Sequence, residues 1–182
     1  YRLPAIIFGS ITLFGLYGIG LLLEGRKAAF WTIVLYILSP FFFFSGGMFV
    51  VPDGPLNAAI AMTMFLFIRS QTLKSGYVFQ MILIGTWVAI SFLSKYHAIL
   101  LPFSLLFYFL ISSERRYWFF HSKIWIIALI GVLGLLPTLI WNYQQGWPSF
   151  IFHGGRTNFE FSPISFIIMG LGQLIYLLPL TL

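Results

Sequence analysis

Few residues in this chain are able to carry chemistry, and they recur at intervals. Asp53 is one of only four acidic residues in 182, and it stands in Val51-Pro52-Asp53-Gly54-Pro55-Leu56-Asn57 between two long apolar runs. Lys95-Tyr96-His97 interrupts another apolar stretch, and Asn142, His153 and Arg156 follow. A lysine ammonium is a compact partner for an anionic group such as a lipid phosphate, and an arginine can close on a phosphate with paired hydrogen bonds. Each residue also has a plainer role. Asp53 would serve a turn or a helix cap, Lys95 would extend its ammonium to the headgroups, and Arg156 would be solvated in a loop. His97 fits a hydrogen-bonded interfacial residue better than a ligand, and Asn142 is expected to cap the end of a helix.

The elements that position these residues follow from composition. Hydrophobic residues make up 60% of the chain and charged residues 8%, against about 25% charged in a soluble domain. The mean hydropathy is +0.97. This is the composition of an integral membrane protein, and twenty-two Phe, nine Tyr and six Trp suit lipid-facing surface with interfacial belts. With no cysteine, a thiolate metal site is excluded. The net charge of +6 forms no basic stripe, so nucleic acid is not an expected partner.

Seven apolar spans are expected, roughly 3–23, 30–50, 55–69, 77–93, 98–111, 124–141 and 164–182, against about 20 residues per crossing. The predicted fold class is therefore all-α, a polytopic transmembrane helix bundle. Loops near 24–27, 69–76 and 112–123 hold seven of the ten basic residues, which assigns them to the cytoplasm. Asp53, Lys95 and Arg156 then share the outer side. Residues 77–111 as one helix would measure about 50 Å at 1.5 Å per residue, too long for one crossing. The chain must reverse, and Ser94-Lys95-Tyr96-His97 is its polar break. In the 51–57 stretch, Pro55 suits a first helical position and Asp53 or Gly54 the cap. The loop from Asn142 to Pro163, with Gly146-Trp147-Pro148-Ser149-Phe150, has the aromatic and polar alternation of a segment lying on the membrane surface. Its rings fit a membrane belt better than a substrate platform.

No Gly-rich phosphate loop, His-Glu-x-x-His pair or nucleophile elbow occurs. No span carries Asp, Glu, Lys or Arg at its centre, which argues against ion-coupled transport. The chain starts at Tyr1 and stops inside an apolar run at Leu182. Residues 1–182 are accordingly expected to be part of one transmembrane domain of a longer protein.

The order of motifs resembles glycosyltransferase family 39. That superfamily holds the dolichyl-phosphate-mannose–protein mannosyltransferases and the bacterial aminoarabinose–lipid A transferases. The resemblance runs through Arg2-Leu3-Pro4, Glu24-Gly25-Arg26-Lys27-Ala28-Ala29, Leu38-Ser39-Pro40 and Pro52-Asp53-Gly54-Pro55-Leu56. It continues through Leu93-Ser94-Lys95-Tyr96-His97-Ala98, Pro137-Thr138-Leu139-Ile140-Trp141-Asn142 and Gly146-Trp147-Pro148-Ser149-Phe150, leading to Arg156.

The resemblance implies a GT-C type enzyme in a bacterial inner membrane. Such an enzyme takes a sugar from a polyprenyl-phosphate carrier and passes it to a lipid, glycan or protein acceptor on the outer face. It places the main catalytic carboxylate in an outer loop upstream of Tyr1. Asp53 is left as a supporting acid that orients acceptor or phosphate, with Lys95, Tyr96, His97, Asn142 and Arg156 as the substrate and phosphate side. No cofactor is called for, and a divalent metal is compatible with the chemistry but indicated by no residue set. Two readings compete with this one. A flippase or permease for lipid-linked sugars would want the same outer cations but also a polar path across the spans, where Gln80, Thr86 and Gln173 are isolated. A non-catalytic membrane subunit that scaffolds an envelope complex would have no acidic loop upstream of Tyr1.

Overall fold

The computed structural model describes residues 2–44, 49–71, 77–112, 120, 124–155 and 163–177. Every regular element among them is helical. The α-helices are α1 (Leu3–Glu24), α2 (Arg26–Leu38), α3 (Pro40–Phe43), α4 (Asp53–Ser70), α5 (Tyr77–Ser94), α6 (Leu100–Ile111), α7 (Ile124–Gln144), α8 (Pro148–Gly155) and α9 (Pro163–Leu177), with a 3₁₀ turn at Tyr96–Ile99 before α6.

Leucine, isoleucine and phenylalanine side chains cover much of the outside. Leu3, Phe79, Phe107 and Phe166 are each more than half exposed, a surface that suits lipid and not water. α1 and α7 are each long and apolar enough to cross a bilayer alone, while the apolar helices at Val78–Ser94, Tyr96–Ile111 and Pro163–Gln173 are shorter. Two of the described helices reach that length, not seven. Part of the difference is local. The expected span 30–50 breaks after Leu38, because Ser39 takes an extended conformation (φ −76°, ψ 113°) before Pro40. A proline ring disfavours helical geometry in the residue that precedes it.

Side-chain contacts fix the directions of the helices. α1 doubles back into α2 at Gly25, whose φ of +87° suits glycine. Gly15 and Gly18 of α1 lie against Ala61 and Phe65 of α4, so α1 and α4 run parallel. α5 returns antiparallel to α4. Gln80 Nε2 donates to the Leu66 carbonyl at 3.1 Å near one end, and Lys95 meets Asp53 at the other. Gly85 packs on Ile127 and Ile130, and Gly134 on Ala89, so α7 runs parallel to α5. Missing side chains let helix backbones approach closely, the usual packing of helices in lipid. The core that results is apolar, with Leu66, Met81, Ile84 and Val88 buried.

Lys95 lies in an extended conformation (φ −160°, ψ 145°) between α5 and the 3₁₀ turn. Beyond it α6 runs back toward the far end of α4, where the Phe67 and Phe109 rings meet with centroids 5.8 Å apart. The reversal therefore falls where the polar break was expected. One end of the bundle collects Arg2, Asp53, Lys95 and Asn142, and the other Glu24, Arg26, Lys27 and Arg69.

Candidate functional site

Asp53 is the first residue of α4, so the helix begins one residue earlier than the capping role anticipated for Asp53 would require. Pro52 holds the cap position and no side chain caps the helix. Pro55 sits in the first turn rather than opening it. The Asp53 carboxylate is thus released from capping, though the N-terminal helix dipole still favours a negative charge there. It accepts from Lys95 Nζ at 2.8 Å, across 42 residues. The pair is half-buried, with Lys95 39% and Asp53 29% exposed. Lys95 therefore does not stand as an isolated ammonium. The turn explains why the chain bends at Asp53, and the ion pair explains what its carboxylate does.

One residue further on, Tyr96 enters a second network. Its hydroxyl accepts from Asn142 Nδ2 at 3.0 Å. The same amide nitrogen donates to the Thr138 carbonyl at 2.9 Å, and Asn142 Oδ1 accepts from the Ser149 backbone N–H at 3.2 Å. Asn142 is fully buried, and both of its amide protons are engaged. It does not cap the end of its own helix, since α7 continues to Gln144. It caps the start of α8 instead, because Ser149 lies in that helix's first turn and its N–H would otherwise lack an acceptor.

The turn between α7 and α8 is tight. Trp147 N–H donates to the Asn142 carbonyl at 2.7 Å. Gly146 and Trp147 both take positive φ, +76° and +63°, and a bulky side chain is uncommon in that region. Ring contacts hold it there: Trp147 meets Phe150 at 5.4 Å and Tyr143 at 6.4 Å, and Phe150 meets Tyr96 at 5.9 Å. As far as Gly155, the stretch expected to lie on the membrane surface is a turn and a short helix anchored to the bundle.

Tyr96, His97, Leu100, Ser149, Phe150 and Gly154 are among the residues lining an open cleft of about 580 Å³. His97 is exposed on it. The cleft is mainly apolar, with Tyr96, His97 and Ser149 as its polar residues, and Lys95 stands one residue away in the chain. Of the residues singled out by sequence, the fold joins Asp53 to Lys95 and Tyr96 to Asn142, and sets His97 beside Tyr96. Arg156 and the side chain of His153 lie outside the described residues. Ser149 and Phe150 gain roles that sequence reasoning did not give them. The available signal was an asparagine a few residues before a Gly-Trp-Pro turn. Among the described residues no three of His, Cys, Asp or Glu gather closely enough to hold a metal ion.

No curated protein and no solved structure matches the chain. A family profile does. That of the dolichyl-phosphate-mannose-protein mannosyltransferases matches residues 1–141, which include Asp53, Lys95, Tyr96 and His97 and stop one residue short of Asn142. With more than three quarters of its length matched, the chain belongs to that family of membrane glycosyltransferases.

Proposed function

We propose that this chain forms part of a transferase that moves a sugar from a polyprenyl-phosphate carrier to a lipid, glycan or protein acceptor on the outer face of a bacterial inner membrane. In this reading the apolar segments make a multi-pass GT-C bundle of about seven crossings, with the basic ends of α1 and α4 in the cytoplasm. The observation that carries it is the Asp53–Lys95 pair, one residue along the chain from a mainly apolar cleft at one end of the bundle.

The chemistry follows from general principles. The acceptor hydroxyl or amine loses its proton to a carboxylate, which in this proposal lies outside residues 1–182, and attacks the anomeric carbon. The bond from that carbon to the phosphate oxygen breaks, and the lipid phosphate leaves with growing negative charge. Lys95 stabilises that charge and Asp53 holds the ammonium in place until the phosphate arrives. Arg156 is proposed as a second cation, Tyr96 and His97 as polar contacts on the cleft wall, and Asn142 as a positioning residue that works through Tyr96.

The test is sugar transfer from a polyprenyl-phosphate donor by the complete protein in liposomes, wild type beside Asp53→Asn and Lys95→Met. A half-exposed ion pair contributes about 0–1 kcal/mol to stability, so both variants should remain folded. Transfer is expected to fall about a hundredfold, the effect of removing one charge-stabilising group. Unchanged transfer in both variants overturns the proposal.

A further inference from the structure

The end of the bundle opposite Asp53 and Lys95 carries positive charge. Arg26 and Lys27 are the first residues of α2, and Arg69 stands in the last turn of α4. All three are exposed, as is Glu24, which offsets one of them. Among the described residues neither Arg26 nor Lys27 forms a salt bridge, so their charge is not neutralised within the fold. Gly20 of α1 lies against Ala29 and Thr32. At 100° per residue the opposite face of α2, with Lys27, Phe30 and Trp31, looks away from the bundle, and Arg26 flanks it.

Each cation is followed four residues later by an aromatic ring, Arg26 by Phe30 and Lys27 by Trp31. Residues four apart are neighbours on a helix surface. Phe30 and Trp31 are 59% and 51% exposed, and their rings meet edge to face with centroids 5.6 Å apart. Four residues advance a helix by about 6 Å. The polar zone of a bilayer is about as thick on each side, roughly 5–7 Å. With the two cations at headgroup level, the rings therefore reach the edge of the hydrocarbon, the depth at which tryptophan belts form.

This spacing matches a molecule that is anionic at one end and hydrocarbon about 6 Å further on. A water-soluble anion would engage the cations and leave both rings uncovered. A zwitterionic lipid would bring its own cation to the same place. We infer that this corner of the bundle binds an anionic phospholipid of the adjacent leaflet. Its phosphodiester pairs with Arg26 and Lys27, and the upper part of an acyl chain lies against Phe30 and Trp31. Arg69 adds attraction over a longer distance, within the reach of unscreened charge. The inference rests on embedding in a membrane, and neither on the direction in which the chain crosses it nor on the transfer reaction.

Native mass spectrometry of the complete detergent-purified protein tests it, with phosphatidylglycerol and phosphatidylcholine of identical acyl chains as probes. Wild type should retain phosphatidylglycerol about tenfold better, since each basic side chain near an anionic headgroup contributes about fivefold and Glu24 offsets part of this. Arg26→Gln with Lys27→Gln should bring the two lipids close to parity. Equal retention by wild type overturns the inference, as does a preference that survives the double variant, which would place the lipid on other basic residues. Glycerophosphoglycerol, the same headgroup without chains, should not displace the lipid at millimolar concentration. Displacement would mean a plain anion site in which the rings take no part, and overturns it too. A second measurement does not depend on the double variant folding. In nanodiscs, phosphatidylglycerol brominated on its acyl chains should quench tryptophan fluorescence more than brominated phosphatidylcholine does, and Trp31→Phe should abolish the difference. A difference that persists without Trp31 counts against the site.

Discussion

Asn142 Nδ2 donates to the Tyr96 hydroxyl at 3.0 Å across 46 residues, so the end of α7 is fastened to the turn that also carries Lys95. The same asparagine accepts from Ser149, and a single buried amide thus joins α7, α8 and the reversal between α5 and α6. Asn142→Ala should lower stability by about 1–3 kcal/mol, since it strands a buried N–H and a hydroxyl. Tyr96→Phe should lower it by about 1 kcal/mol. In the double variant the two losses should not add, because both remove the same bond. Thermal unfolding of the four proteins in one detergent reads this, and strict additivity would show the bond to be energetically silent.

Exchanging the two charges separates geometry from identity at the ion pair. Asp53→Lys with Lys95→Asp restores opposite charges at the same two positions, and should unfold within about 1 kcal/mol of wild type. It should not restore sugar transfer, because the cation then stands on α4 and no longer beside Tyr96 and the cleft. Recovery of transfer in the exchanged protein would show that only net attraction between the helices matters.

The seam between α5 and α7 depends on side chains being absent. A Cβ at Gly134 would meet the backbone of Ala89, whereas one at Gly170 in α9 would meet nothing within 4 Å. Gly134→Ala should therefore destabilise by about 1–3 kcal/mol as the helices are forced apart. Gly170→Ala should be neutral or slightly stabilising. The apparent melting temperatures of the two variants give the comparison, and equal values would mean that the seam yields freely.

Trp147 separates backbone strain from ring packing. Its φ of +63° disfavours any residue with a Cβ. Both Trp147→Gly and Trp147→Ala lose the contacts with Phe150 and Tyr143, but only the alanine keeps the strained backbone. The glycine variant should be the more stable of the two by about 1 kcal/mol. The reverse order would indicate that the turn relaxes once the ring is removed.

Much of the architecture was legible in the sequence because proline, glycine and charge interrupt apolar runs. The reversal at Lys95, the start of α4 near Asp53 and the family motifs all depend on such local interruptions. Pairing is different in kind. The basic loop at 69–76 puts Asp53 and Lys95 on one side, but nothing between them records that α4 and α5 pack against each other with their ends level, and the ion pair exists only because they do. Asn142 was misjudged for a related reason: a polar residue near a helix end looks like a cap for that helix, and only the turn at Trp147 brings Ser149 within reach. The break at Ser39 was hidden by the apolar run around it, since composition continues through Pro40 while the backbone does not.

The parallel packing of α5 and α7 also works as a gauge. Gly134 fixes α7 against Ala89, and eight residues later Asn142 must reach Tyr96, about 12 Å further along the same helix. One residue inserted between them would turn the amide by about 100° and carry it past the hydroxyl. The distance from seam to site is set by a residue count.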